Sequence, residues 1–581
     1  MQSYFPGLSR LKGYGGKDAA ADLVAGLILA VLLVPQAMAY ARLAGLPPEA
    51  GLYTAMAPAL IYAFLGTSSY VSIGPVALAS ILAGEAAANS GLPLLEGAAI
   101  IAVQTGILLA LLGIFRMGRL VNFVSEPALL GFLAAIAVLI GLSQLGALLG
   151  VDAERGGTLM AMLDGLLPVI GNISVTTVLI GLGALALLLL ADRFAPPILW
   201  KLGVHPPWRT AIAKSLPLLI LVLAAIAALA LPGVTTIDQP PSGLPPLTFP
   251  AFDSAVWLAL LPDSAIIAVI IFVTGTAVAK SLAGRNRQAL DSSQESIALG
   301  AASVAAGMTG GYVPGVSLSR SALVYDSGAR TPFASAVAAA IVLLVLLLLS
   351  KPLSYLPEAA LAALVMAAVS GLVRWGEIVT VARHSKREAV VIAIAFFATL
   401  ALGIQWGLIL GAASGIALYL WSSSLPRITR LGYEEEADHY RSVDRDEVEI
   451  DSLPVLVLRI DRSLFFGNVA RAEDELLGLI ARHEDVRCLL IDMKGVNEID
   501  ASGLAMLERL VDNAEDKDLR VGFAVVKKPL LVPLQRSKLL RFSPVYEDVE
   551  VGVEEMKKAC GDDDARPRRD ALLASDRAVN G

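Results

Sequence analysis

The residues best suited to chemistry lie in two short stretches that interrupt otherwise apolar surroundings. The first reads Tyr70-Val-Ser-Ile-Gly-Pro-Val-Ala-Leu-Ala-Ser, and the second Gly310-Gly-Tyr-Val-Pro-Gly-Val-Ser-Leu-Ser-Arg-Ser. Each suggests a short extended segment, a Gly/Pro break, and then a half-helix rich in small side chains. Pro75 suits a first helical position, and Ser317 suits an N-cap. A helix N-terminus presents unpaired N–H groups and roughly half a positive charge, which favours an anion. Corresponding breaks in the two halves of a long apolar chain mark the substrate site of an inverted-repeat carrier. The competing reading is a pair of packing kinks, because Gly and Pro are common in membrane helices. Arg320 weighs against kinks. A guanidinium at mid-bilayer costs at least ~2.5 kcal/mol, so it must face a cavity or a partner. One turn inside a half-helix, it adds positive field where an anion would rest. Its structural alternative is a partner such as Asp326.

Other chemistries find little support. The four histidines (His205, His384, His439, His483) are scattered and unpaired with cysteine, so no metal site is expected. No G-x-x-x-x-G-K-[ST] loop occurs, which removes nucleotide-driven transport. No catalytic motif or cofactor site is found, and the chain is read as a non-enzyme. Cys488 and Cys560 are the only cysteines, and the expectation is two reduced thiols in a cytosolic setting.

Positioning the two broken stretches takes a membrane. The chain has 581 residues, 56% of them hydrophobic and 17% charged. The charge is unevenly placed: 55 of 97 charged residues follow Leu431, and that last quarter is net −11 while the rest is net +4. Apolar runs recur from Leu23 to residue 422, several near the ~20 residues that cross hydrocarbon as a helix. With the broken and short segments they make about fourteen expected spans. The first run resembles a signal peptide, but its length and the many runs after it favour a retained span. Arg116/Arg119, Arg193/Lys201/Arg209/Lys214, Lys280/Arg285/Arg287 and Arg374/Arg383/Lys386/Arg387 then fall on the N-terminal side. Loops 84–97 and 233–256 contain no Lys or Arg. This asymmetry places both termini in the cytoplasm, in a bacterial-type inner membrane.

Beyond the spans the grammar changes. Val455-Leu-Val-Leu-Arg-Ile, Cys488-Leu-Leu-Ile-Asp and Val521-Gly-Phe-Ala-Val-Val are β-rich runs, each followed by a helical pattern. That alternation implies a small α/β domain. Its acidity disfavours nucleic acid. The expected division is a cytosolic segment 1–17, a membrane domain 18–432, an α/β module 433–558 and a disordered tail 559–581.

A resemblance covers nearly the whole chain, about residues 8–558. Val34-Pro-Gln-Ala-Met-Ala-Tyr-Ala, continuing to Ala44-Gly-Leu-Pro-Pro-Glu-Ala-Gly-Leu-Tyr, resembles the first-span signature of the SulP (sulfate permease) anion transporters. Ser72-Ile-Gly-Pro, Ser125-Glu-Pro, Ser317-Leu-Ser-Arg-Ser, Gly328-Ala-Arg-Thr-Pro and a STAS-like module with Ile499-Asp-Ala-Ser-Gly follow in order. The resemblance implies a seven-plus-seven inverted repeat with core and gate domains, a homodimer, and elevator-like exchange of access. Its pocket would be lined by Gln36 and Tyr40 from the first span, Val76 and Ala77 from the third, and Ser317, Leu318, Ser319 and Arg320 from the tenth. Val76 stands where the family often has an aromatic side chain. Thr274 stands where many relatives carry an acid, and a hydroxyl cannot cycle a proton at working pH. Asp500-Ala-Ser-Gly resembles the loop phosphorylated in anti-sigma-factor antagonists, making Ser502 a candidate regulatory site; a plain helix cap is the simpler reading.

The expected function is secondary transport or exchange of small inorganic anions, sulfate first, with bicarbonate, chloride or dicarboxylates as alternatives. A membrane-anchored STAS sensor is the alternative from another class, and nucleobase transport a further one that Arg320 opposes. Expected partners are the anion, the lipid bilayer, a second copy of the chain and a cytosolic regulator at the STAS-like module.

Overall fold

Helices that are apolar on every side can be satisfied only inside a bilayer or a large core, and such helices recur between Gly16 and Ser423. The first seven are α1 (Gly16–Leu43), α2 (Pro48–Leu65), α3 (Ala77–Ala88), α4 (Leu94–Ile114), α5 (Glu126–Ser143), α6 (Val175–Lys201) and α7 (Trp208–Ala230). The second seven are α8 (Ser254–Arg285), α9 (Ser292–Met308), α10 (Leu318–Asp326), α11 (Phe333–Leu353), α12 (Glu358–Ser370), α13 (Lys386–Leu402) and α14 (Ile404–Ser423). Shorter helices at Leu145–Leu149, Leu159–Leu166 and Trp375–His384 join them. The structure is a computed structural model that describes residues 6–7, 13–117, 125–153, 156–205, 208–231, 233–241, 243–285, 290–434, 439–443, 454–483, 486–515, 517–537, 539 and 543–561. Most of the expected segment 1–17 before α1, and residues 562–581 of the expected tail, lie outside the described residues.

Helix lengths repeat between the halves. α1–α4 have 28, 18, 12 and 21 residues, and α8–α11 have 32, 17, 9 and 21. Among the described residues, nine helical segments are long and apolar enough to cross a membrane. The third member of each half is not one of them, because Gly and Pro delay its start. α1–α4 and α8–α11 form the core, and α5–α7 with α12–α14 form the gate. Small residues let the core close tightly. A Cβ on Gly106 of α4 would lie 2.6 Å from the Gly300 carbonyl of α9, the close approach that packs helices without a hydrophobic drive.

Two fully buried carboxylates tie the loops to this core. Asp22 of α1 accepts from the backbone N–H groups of Arg330 (2.8 Å) and Thr331 (3.1 Å) and from the Thr331 hydroxyl. It thereby fixes the Gly328-Ala-Arg-Thr-Pro turn. Glu295 of α9 accepts from the Tyr62 hydroxyl and from the N–H (3.1 Å) and Oγ1 (2.7 Å) of Thr67. Ser125 caps α5, its Oγ 3.4 Å from the Ala128 N–H, with Pro127 in the first turn.

The chain divides into two units, 1–416 and 417–581. Two short strands, β1 (Ile73–Gly74) and β2 (Gly315–Val316), belong to the first. The second holds a six-stranded sheet of β3 (Ile428–Glu434), β4 (His439–Ser442), β5 (Val455–Ile460), β6 (Cys488–Asp492), β7 (Arg520–Ala524) and β8 (Val545–Tyr546), ordered β4-β3-β5-β6-β7-β8. β5 to β8 run parallel and β3 is antiparallel to both neighbours. Alternation along β5 builds two cores. Leu456, Leu458 and Ile460 face α15 (Val469–Ala481), α16 (Ala501–Glu515) and α17 (Lys528–Arg536), while Val455 and Val457 face α18 (Val549–Gly561). Helix α18 runs into the first residues expected in the tail. Cys488 and Cys560 are disulfide-bonded with Cα atoms 6.5 Å apart, within the normal range. This corrects the expectation of two free thiols: residues 72 apart in sequence leave no spacing signature of their pairing.

Candidate anion site

The two interrupted segments meet. β1 and β2 pair antiparallel, Ile73 opposite Val316 and Gly74 opposite Gly315, and the Ser317 N–H continues the ladder to the Ser72 carbonyl at 3.2 Å. Glycine is required at both central positions. Gly74 has φ +152°, and a Cβ at Gly315 would run into Val76 Cγ2. Antiparallel pairing sends the two chains out of opposite ends of this short ladder, so the N-termini of α3 and α10 flank it from its two ends.

Ser317 is the N-cap of α10, its Oγ 3.4 Å from the Arg320 N–H. Val76 is the N-cap of α3, and the helical ladder begins with Ser80 N–H to Val76 carbonyl, leaving the N–H groups of Ala77, Leu78 and Ala79 outside it. Pro75 therefore does not open the helix as expected. It lies one residue before the cap, because Gly74 is still extended in β1. Leu318 and Ser319 are exposed, Ser317 and Val76 half-buried, and Gln36, Tyr40 and Ala77 buried.

Arg320 is fully buried. Its Nε is 3.4 Å from Ser72 Oγ and its Nη1 3.4 Å from Gln36 Oε1, both long contacts. Its Nη2 has no hydrogen-bond partner among the described residues. Asp326 is exposed at the far end of α10, and among the described residues Arg320 makes no ion pair with it or with any other carboxylate. The salt-bridge alternative is thus corrected, since both the turn count and burial separate the two. Gln36 turns its carbonyl oxygen to Arg320. The result is an uncompensated positive charge directly behind two helix N-termini.

Tyr312 is a positioning residue that the sequence did not single out. It is fully buried, and Thr54 Oγ1 accepts its N–H at 2.9 Å. Its hydroxyl is 2.9 Å from Ser80 Oγ. Ser80 donates to the Val76 carbonyl at 2.8 Å, so the Tyr312 hydroxyl must be the donor in that contact. Thus the segment before α10 braces the first turn of α3. Thr274 is half-buried and donates its hydroxyl to the Ile270 carbonyl of its own helix at 2.7 Å.

In the α/β unit, Asp500 Oδ1 accepts the Gly503 N–H at 2.8 Å and Oδ2 the Phe466 N–H at 2.8 Å. That is the cap geometry for the start of α16, with Ser502 in its first turn. Among the described residues no cluster of metal-ligating side chains occurs.

An inverted repeat with core and gate, two half-helices meeting at mid-chain breaks, and a separate α/β module define a membrane transporter architecture rather than an enzyme. Residues 20–395 match the sulfate permease family and residues 447–552 the STAS domain. The chain belongs to the sulfate permease family. It is 32% identical over 556 residues to a probable sulfate transporter 4.2 of Arabidopsis thaliana, spanning 92% of this chain and 81% of that one. It is 30% identical over 541 residues to a probable sulfate transporter of Mycobacterium tuberculosis, spanning 92% and 94%. The fold matches a murine Solute Carrier 26 family member A9 anion transporter in the inward-facing state, with TM-score 0.86 over 96% of this chain and 94% of that one at 21% identity. The transmembrane domain of a cyanobacterial bicarbonate transporter, BicA, aligns with TM-score 0.58 over 69% and 98% at 20% identity.

Proposed function

We propose that this protein is a secondary transporter of small inorganic anions, with sulfate as its main cargo. The observation that carries the reading is Arg320, a buried cation without a carboxylate partner behind the two half-helix N-termini. The anion would rest between Val76–Ala77 and Ser317–Ser319, taking N–H groups from both helices, the Ser319 hydroxyl and the Gln36 amide, with Tyr40 as an aromatic wall. The names of the relatives support sulfate. Because β1 and β2 bind the half-helices into one piece, the site would travel with the core past the gate in an elevator-like cycle. Thr274 cannot carry a proton, which favours exchange or facilitated diffusion over proton symport at that position.

A second reading, bicarbonate or chloride, is favoured by charge: one guanidinium balances one negative charge. Both termini are assigned to the cytoplasm, the chain to a homodimer, and the STAS module to docking a cytosolic regulator, with Ser502 as its modifiable residue. The test is uptake of radiolabelled sulfate by the purified protein in liposomes, with bicarbonate, chloride and a dicarboxylate as competitors. Saturable sulfate uptake is expected; no uptake and no competition would end the reading.

A further inference from the structure

Three contacts join core to gate at one end of the membrane unit. Arg42, in the last turn of α1, forms an ion pair with Glu358, the first residue of α12. Gln405, at the start of α14, donates from Nε2 to Asp263 Oδ1 of α8. Glu85 of α3 lies over Gly157, so closely that a Cβ there would meet its carboxylate. Each contact has one partner on the core and one on the gate. Helix direction puts all three on the face opposite the N-terminus: α1 and α3 end there, and α12 and α14 begin there.

The Arg42–Glu358 and Glu85–Gly157 contacts border a cavity of about 570 Å³, lined also by Ala39 and Asp152. Ala39 directly precedes Tyr40 on α1, the helix that the cavity and the candidate anion site share. We propose that the three contacts form a latch that holds the core against the gate, and that the anion site opens to this face only when the latch breaks. The proposal rests on the alternating-access reading above.

The chemistry suits a contact that must break once per cycle. The Arg42 and Glu358 side chains are 38% and 24% exposed, and an ion pair in that setting is held by Coulomb attraction largely screened by water. A dry pair would lock the core. The charged groups facing one another here are Arg42 on α1, Glu85 on α3, Asp152 beyond α5, Asp263 on α8 and Glu358 on α12. Among the described residues these are four carboxylates and one cation, so the ion pair opposes a repulsion between the two bodies that acts once it opens.

The test uses Ala39→Cys in the full-length protein as a reporter, since Ala39 is 2% exposed in the latched state. The native cysteines are bonded to each other and do not compete. A membrane-impermeant maleimide is added from the face opposite the N-terminus, and sulfate uptake is followed in the same vesicles. Glu358→Gln should speed labelling roughly two- to fivefold. Gln405→Leu should act in the same direction, and the swap Arg42→Glu with Glu358→Arg should return the parent rate. Unchanged labelling in both single variants, with sulfate uptake intact, overturns the latch. Labelling that responds while the parent moves no anion would leave the latch standing and remove the transport reading instead.

Discussion

Replacing Arg320 with glutamine separates its electrostatic role from a packing role. The guanidinium is fully buried and lacks a carboxylate partner among the described residues. One helical turn is about 5.4 Å, so an anion at the α10 N-terminus would lie at about 6 Å. At an effective dielectric of about 20, a unit anion there gains about 2.8 kcal/mol from the arginine. That is roughly a hundredfold in affinity, and a dianion gains up to twice the free energy. Arg320→Gln should therefore raise the KM for sulfate more than the inhibition constant of chloride or bicarbonate, shifting selectivity toward monovalent anions. Stability should move the other way. An unpaired buried donor costs about 1–3 kcal/mol, so the variant should melt no lower than the parent. The assay is liposomal sulfate uptake with monovalent and divalent competitors, alongside a thermal melt in detergent. An unchanged sulfate KM, or equal losses for monovalent and divalent anions, would refute the field argument. A fall in melting temperature that tracks lost uptake would make Arg320 a packing residue.

Three further outcomes are expected. Tyr312→Phe removes the donor to Ser80 and should cost about 0.5–1.5 kcal/mol, seen as a roughly two- to tenfold higher KM at preserved Vmax; a change in Vmax alone would contradict the positioning role. Burial raises the Asp492 carboxyl above its ordinary range, despite the Lys494 N–H that it accepts. Its stabilising contribution is therefore present at low pH and lost as pH rises through the folded-state value. Asp492→Asn should raise the melting temperature of the STAS unit at pH 7 with no gain below pH 4, and a lower melting temperature at pH 7 would refute this. Cys560→Ser opens a loop whose ends are 72 residues apart, and loop-closure entropy sets the loss at about 4 kcal/mol; equal melting of the parent and the variant under non-reducing conditions would show that the bond contributes nothing.

What the sequence made legible follows from how few ways a membrane segment can be satisfied. Gly-Pro at residues 74–75 and the Val313-Pro-Gly run cannot continue an apolar helix, so both breaks were visible without a partner in view. Arg320 stood out because a cation among Ala, Val and Leu needs a reason. The β-rich run Val455–Ile460, followed by a helical pattern, marked a strand of a small α/β domain. Pairing was hidden. Strands of two residues have no periodicity, and the partner of Ser72 lies 248 and 249 residues away in Arg320 and Ser321. The bonds of Asp22 to Arg330 and Thr331 cross 308 and 309 residues, so nothing in the sequence around Asp22 points to them. Tyr312 carried no signal of its own, because its partners Thr54 and Ser80 lie 258 and 232 residues away. Asp326 was a plausible partner for Arg320 only by sequence distance, which burial overrode.

The pairing of β1 with β2 also bears on how the protein is made. An extended backbone at membrane depth needs hydrogen-bond partners, since hydrocarbon supplies none. The Ser72 carbonyl and the β1 backbone obtain theirs from Gly315, Val316 and Ser317, which are synthesised more than two hundred residues later. At a synthesis rate of about 5–20 residues per second, that gap lasts at least ten seconds. During this time the first half carries unsatisfied peptide groups that no native contact can cover. The first seven helices on their own are therefore expected to be an insertion intermediate rather than a folded half, and a nascent chain stalled before residue 315 should remain bound to the insertion machinery or to a membrane chaperone. Arrival of β2 would then be the event that releases it into the bilayer.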